Sequence, residues 1–320
     1  MIVPVPFPGE TLLARYFIVP GRYAKQRLDS LVHPCLRTCA VAMLTTLTAV
    51  SGPAQVIHTR GTQFDIDIAG NVYVLDTDRN ALALYDRAAA VQQVVGGSGW
   101  LDGQFDRPSA VWARNGIDVF VADYGNHRIQ RFDRALSFVS SLSTRENSNP
   151  DERFGYPTDI ALSRMGELFI CDTENGRIVK VDRSNKVERS FGGFGAGKGR
   201  LNAPTRLEIG PKDAIYVLDG KRIAVFDAFG NYLRDFMPGL LNSSAELYGD
   251  PARLIVLEGD TVYCFDAEER PAGTFTLNVA APGVRGVRAM AAQGAALWLL
   301  ATGGVYALPD AFPAGDAKKP

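Results

Sequence analysis

The residues of this chain best placed to do chemistry are three carboxylates and two arginines: Asp65, Asp159, Glu208, Arg206 and Arg288. They fall in short runs of alternating character. One alternation set is apolar: Phe64/Ile66/Ile68, Val111/Ala113, Ile160/Leu162 and Leu207/Ile209. The other holds Gln63/Asp65/Asp67, Ala110/Trp112/Arg114, Asp159/Ser163, Arg206/Glu208 and, by extension, Arg253 and Arg288. A β-strand sends successive side chains to opposite faces, so each set shares a face. Gathered around an axis, the polar set has two chemical uses. Its carboxylates suit Ca2+ or another divalent cation, and its paired arginines suit an anionic ligand. The plainer reading is a lining whose acids and bases neutralise one another, because a buried charge needs a partner. On that reading no cofactor is expected.

Other candidates are weaker. Asp76, Asp123, Asp172 and Asp219 recur once per unit, each in a turn, and so cannot converge on one ion. Their expected role is hydrogen bonding to nearby backbone. Gly192 to Lys198 has the spacing of a phosphate loop, but Gly199 follows where Ser or Thr must hold Mg2+, and strands flank it instead of a helix. Histidine is scarce: His33, His58 and His127. No nucleophile elbow or Ser-His-Asp set stands out. Of the four cysteines, Cys171 and Cys264 fall in strands of different units, too far apart to bridge, and read as small core hydrophobes. Cys35 and Cys39 precede the repeats, and no CxxC spacing suggests zinc.

The elements that must position these groups form a repeat. The segments 71–86, 118–133, 167–182 and 214–227 read NVYVLDTDRNALALYD, DVFVADYGNHRIQRFD, ELFICDTENGRIVKVD and AIYVLDGKRIAVFD. From Asp76 through Asp123, Asp172, Asp219 and Asp266 the steps are 47, 49, 47 and 47 residues. Each unit is a hairpin of two apolar runs around an Asp/Asn/Gly turn. A further strand precedes it, opened by Pro108, Pro157 or Pro204, where proline needs no ladder donor. Another strand follows. Proline and closing Asp stand 15 apart at 108/123, 157/172, 204/219 and 251/266. Four strands in such a period make one blade of a β-propeller.

The pattern resembles the NHL-repeat family. Phe105-Asp-Arg-Pro108 with Val121-Ala-Asp123 and Asn126-His-Arg128-Ile129 fits best. Phe154-Gly-Tyr-Pro157 with Asp172 and Arg177 follows, then Leu201-Asn-Ala-Pro204 with Asp219 and Arg222. The resemblance covers roughly residues 64–266 and implies an all-β, six-bladed propeller. Blade 5 is ambiguous in register, because Asp266 also aligns with Asp227 if the blade starts earlier. The last blade lacks one strand, which Gln55–Arg60 would supply, closing the ring. The resemblance places first strands around a channel and a rim where the Pro loops emerge. That rim would show Arg107, Tyr124, His127, Arg128, Tyr156, Lys221, Arg222 and Tyr248. With His33 in a leader, the three-histidine zinc site of the related amidating lyases has no residues to build it.

The leader is residues 1–54. Arg22, Lys25, Arg27 and Arg37 precede an uncharged stretch, Thr38 to Val50, then Ser51-Gly-Pro-Ala54. That is a secretory signal pattern with cleavage after Ala54, and it predicts a secreted or periplasmic protein. The propeller is assigned to residues 55–310, and the Pro/Ala/Gly/Lys-rich tail 311–320 to disorder. No apolar run is long enough to span a bilayer. A net charge of −1 gives no field for nucleic acid. The expected function is a non-enzymatic scaffold holding a protein, peptide or glycan by its rim and channel mouth, since Arg and Tyr are favoured interface anchors. The alternative is a divalent-cation-dependent channel hydrolase, lactonase-like, with Asp65, Asp159 and Glu208 as ligands. RNA binding is the third and least supported reading.

Overall fold

A computed structural model describes residues 54–237, 239–242 and 244–312. The expected leader with its cleavage signal, and most of the tail, lie outside the described residues. Six four-stranded antiparallel sheets follow one another. Their first strands are Gln63–Ile66, Ala110–Trp112, Pro157–Leu162, Pro204–Ile209, Glu246–Asp250 and Ala289–Gln293. Each of these touches the first strand of the blade before and after it, and the sixth touches the first. The sheets therefore stand radially about a common axis, a six-bladed β-propeller.

Burial explains the runs seen in the sequence. Second strands such as Val72–Asp76, Leu168–Asp172 and Ile215–Asp219 are buried almost throughout. Neighbouring blades cover both of their faces, so they read as continuous apolar segments. Outermost strands such as Val91–Gly96 and Pro271–Thr276 are largely exposed. The apolar cores lie between blades; one joins Ile160, Ile170 and Val179 of blade 3 to Leu207 and Val217 of blade 4. Phe105, Phe154 and Leu201, each three residues before a strand-opening proline, are buried in these seams.

The closing strand is Ala54–His58, antiparallel to Gly304–Leu308 of blade 6, with Ala54 opposite Ala307 and His58 opposite Gly304. Blade 6 thus has its expected fourth strand and no open edge there. The packed body runs past residue 310: Phe312 is buried, its N–H donates to the Ala295 carbonyl at 3.2 Å, and Arg253 stacks on its ring at 5.0 Å.

Blade 5 takes the second of the two registers. Its first strand is Glu246–Asp250, and Pro251 lies in the turn that follows instead of opening a strand. Asp266 ends the third strand, Thr261–Asp266, so it belongs with Asp86, Asp133, Asp182 and Asp227 and not with Asp219. Those five share one geometry: each carboxylate accepts from the backbone N–H groups two and four residues on, at 2.8 to 3.0 Å. Arg253 accordingly sits in the second strand, Arg253–Glu258, instead of the axis-lining first strand, and pairs with Asp250 at 3.2 Å. The 251/266 spacing is a coincidence of length, because the step into blade 5 is shorter than the others.

Candidate functional site

Strand pairing fixes which residues share a level of the lumen. Gln63, Ala110, Asp159, Arg206, Glu246 and Ala289 each pair with the penultimate residue of the second strand in their blade. Two residues on, the middle level is Asp65, Trp112, Ala161, Glu208, Tyr248 and Ala291. Two further on, the last level is Asp67, Arg114, Ser163, Gly210, Asp250 and Gln293.

The lumen is barred at the middle level. The Arg114 guanidinium reaches from blade 2 to Asp65 of blade 1 at 3.2 Å and to both oxygens of Glu208 in blade 4 at 2.7 Å. It also donates to the Gly249 carbonyl of blade 5 at 2.9 Å and stacks on the Tyr248 ring at 4.5 Å. Asp65 accepts in addition from the Ala113 N–H at 2.9 Å, stitching blade 1 to blade 2. Gly249 lets blade 5 come close to blade 4: a Cβ there would stand 3.2 Å from Glu208 Cβ and from the Gly210 Cα. At the first level Arg206 pairs with Glu246 at 3.1 Å, and Asp159 accepts from the Leu207 N–H at 2.9 Å.

Four carboxylates thus face two guanidiniums in a closed space. Burial pushes the Glu208 carboxyl up to about 7 against the opposing pull of Arg114. Burial does the same to Glu246, up to about 7, against Arg206. Asp159 is also raised, by burial first, with Arg206 pulling it down. Burial disfavours the Arg114 charge, but Asp65 and Glu208 outweigh it and hold it ionised.

The bar divides the lumen unevenly. Beyond it, on the face away from the Pro loops, opens a funnel of about 660 Å3, walled by Trp112, Leu162, Ile209 and Tyr248 with Asp67 and Arg114. On the Pro-loop side the first-level residues enclose a cavity of about 30 Å3. The open channel mouth is therefore on the opposite face from the expected rim. Ile68, expected in the apolar interior, stands 75% exposed and lines this mouth.

Of the axis-facing residues read from the sequence, Asp65, Asp159, Arg206 and Glu208 do meet in the lumen. Arg288 does not join them: it is exposed and donates to the Gly61 carbonyl at 3.1 Å. Asp65 and Glu208 are engaged by a guanidinium and Asp159 by backbone N–H groups. Among the described residues no group of three or more His, Cys, Asp or Glu is disposed to hold a metal. Glu246 is hidden in the sequence because the 251/266 spacing points to the wrong register for blade 5. Arg114 stands on the expected face, but its reach across the axis has no sequence signal.

The repeated aspartates are internal clamps. Asp123 accepts from the Asp106 N–H at 2.8 Å, from Asn126 and Gln130, and pairs with Arg128 at 2.8 Å. Asp172 binds Arg177 at 3.0 Å and Asp219 binds Arg222 at 3.0 Å in the same way. The blade 5 counterpart is Glu258, accepting from the Asn242 N–H at 3.0 Å. Arg128 is consequently buried, and Arg222, half-buried between Asp219 and Asp235, is likewise tied down. Neither is a free rim group. Tyr248 is 4% exposed and lies in the lumen, not on the rim.

The remaining rim residues assemble. The Tyr156 ring lies 4.9 Å from Tyr124 and 4.2 Å from His127, and Arg107 stands over Tyr124 at 5.4 Å. Lys221 is exposed on the blade 4 turn. His127 adopts a left-handed φ of 55°, where blade 3 has Gly176 at 57°. A non-glycine residue costs roughly 1–2 kcal/mol there, so a ring is held at this point against the backbone preference. Beside the stack a cleft of about 310 Å3 opens, lined by His127, Arg145, Arg153 and Arg177.

The family model described as NHL repeat matches residues 154–181, from the Phe154 plug through the third strand of blade 3. "Protein brain tumor" of Drosophila melanogaster is 32% identical over 141 residues, 43% of this chain and 13% of that protein. The Caenorhabditis elegans protein "Probable peptidyl-alpha-hydroxyglycine alpha-amidating lyase pgal-1" is 31% identical over 88 residues, 27% of this chain and 25% of that protein. Among solved structures, virginiamycin B lyase from Staphylococcus aureus superposes with a TM-score of 0.54 at 13% identity, covering 80% of this chain and 88% of that one. At that identity the likeness is one of fold alone. This chain thus spans well under two thirds of the length of the two sequence relatives.

Proposed function

We propose that this chain, an NHL-repeat six-bladed β-propeller, is a binding scaffold that holds a protein or peptide partner on its Pro-loop rim. The observation that carries the reading is the Arg107–Tyr124–Tyr156–His127 stack, a solvent-facing set of aromatic and cationic groups built from two blades. Such groups give large contact area at small entropic cost and dominate interface energetics. A cation-dependent hydrolase would need Asp65, Asp159 and Glu208 on one ion, whereas Asp65 and Glu208 share Arg114 instead. No nucleic-acid partner is included, in keeping with the net charge of −1.

Export belongs to the same reading. Cleavage after Ala54 would leave Gln55 to His58 to pair with blade 6, so the mature ring would still close. N-terminal sequencing of protein from the cell exterior tests this, and a chain beginning at Met1 ends it. For the scaffold itself, a photo-crosslinking residue at Lys221 should trap a discrete partner that is lost in a Tyr124→Ala, Tyr156→Ala double variant. Identical capture by both proteins would remove the aromatic stack from consideration.

A further inference from the structure

The cleft beside the aromatic stack has a chemistry of its own, and its use as a binding site rests on the rim being the face that meets a partner. His127 comes from the turn of blade 2, Arg145 and Arg153 from the connection between blades 2 and 3, and Arg177 from the start of a blade 3 strand. Every ionisable side chain lining it is basic. Arg177 alone among them is ion-paired: to Asp172, which is fully buried and also accepts from Asn175 and the Gly155 N–H, and to the exposed Asp151 at 4.0 Å. Arg153 is held in place, its Nε donating to the Asn147 carbonyl at 2.6 Å, while Arg177 Nη2 holds the Arg153 carbonyl. Arg145 is exposed and has no hydrogen-bond or ion-pair partner among the described residues. Two arginines without an ion pair, Arg145 and Arg153, therefore converge with the ion-paired Arg177 on a space of about 310 Å3.

We propose that this cleft receives the carboxylate side chain of an acidic peptide segment, whose neighbouring residue lies across Tyr124 and Tyr156. The volume is at the lower limit of small-molecule sites, and suits one side chain better than a ring system. Arginine clusters recognise acidic motifs through charge-assisted hydrogen bonds. A peptide is favoured over a nucleic-acid strand by what surrounds the cleft. Asp151, its side chain 89% exposed, stands beside Arg177 and the exposed Glu174 beside Gly155, so a continuous phosphate backbone would run onto carboxylates. A peptide with one acidic residue there avoids them.

The test is fluorescence anisotropy at low and physiological salt with three labelled probes: a short Gly/Ser peptide carrying a single Glu-Tyr pair (the Glu-Tyr peptide), its Lys-Tyr counterpart, and an oligouridylate of equal length. The wild-type chain should prefer the Glu-Tyr peptide, and salt should weaken the complex. An Arg145→Glu, Arg153→Glu variant should bind it about tenfold more weakly, as expected for two exposed charge reversals, and should gain affinity for the Lys-Tyr peptide. Arg145→Glu alone, at a side chain that supports nothing, should show half the effect in logarithmic terms and guards against misfolding of the pair. Equal affinity for both peptides, or no response to reversal, overturns the proposal. Tighter binding of the oligouridylate overturns it in favour of nucleic acid. A partner still trapped through Tyr124 and Tyr156 after such a failure would leave the scaffold reading standing without the acidic-peptide chemistry.

Discussion

Replacing Glu208 by glutamine should flatten the pH dependence of this propeller's stability. In the unfolded chain a glutamate titrates near 4.3, whereas burial holds Glu208 up to about 7 in the fold. Below the unfolded value both states keep the proton and the contribution is fully present. Between about 4.3 and 7 the unfolded chain releases its proton while the folded one retains it. Stability then falls by about 1.4 kcal/mol per pH unit. Above the folded value the contribution is lost, a total of about 4 kcal/mol. Glu246, also raised to about 7, adds a second loss of the same sign. Urea midpoints at constant ionic strength should therefore be higher at pH 5 than at pH 8. Working above pH 5 avoids Asp133, Asp227 and Asp266, whose lowered carboxyls act in the opposite sense in more acid solution. Asp159, also raised by burial, acts in the same sense, so Glu208→Gln should remove a part of the difference and leave the shares of Glu246 and Asp159, whatever it does to absolute stability. A variant with the wild-type slope, or a wild-type chain more stable at pH 8, would refute the claim that the barred lumen stores protons.

Two further changes address the same bar. Arg114→Met should cost about 3–5 kcal/mol at neutral pH, since it leaves Asp65 and Glu208 buried without their counter-charge, and lowering the pH should restore part of the loss, as read by thermal melting at pH 5 and 8. Gly249→Ala should destabilise by about 1–3 kcal/mol through forced separation of blades 4 and 5, with the loss confined to that seam in hydrogen exchange; a neutral effect would mean that the close approach of Gly249 to Gly210 is not required.

What was legible in the sequence followed local chemistry. Pro157 and Asp172 face each other across the first hairpin of blade 3, as do Pro204 and Asp219 in blade 4, so a fixed spacing was a true structural relation. The closing strand was readable because the last blade visibly lacked a member. Blade 5 misled because Asp266, a turn-capping residue of the third strand, fell by chance at the spacing of a second-strand residue. Orientation was harder. Arg128 and Arg222 carry the composition of a binding rim, yet a buried aspartate close by in sequence claims each of them. Arg114 and Glu208 are 94 residues apart and meet only across the axis, a distance that no periodicity encodes.

The pairing of Ala54–His58 with Gly304–Leu308 makes biosynthesis wait. The first of the described strands emerges with no neighbour, and its mate is the last of them to be made. At about 5–20 residues per second, the lone strand spends tens of seconds unsatisfied on the ribosome. Every blade between can form from nearby segments, but the final seam is sealed only by joining the first and last described strands. A lesion in either strand therefore breaks the same seam.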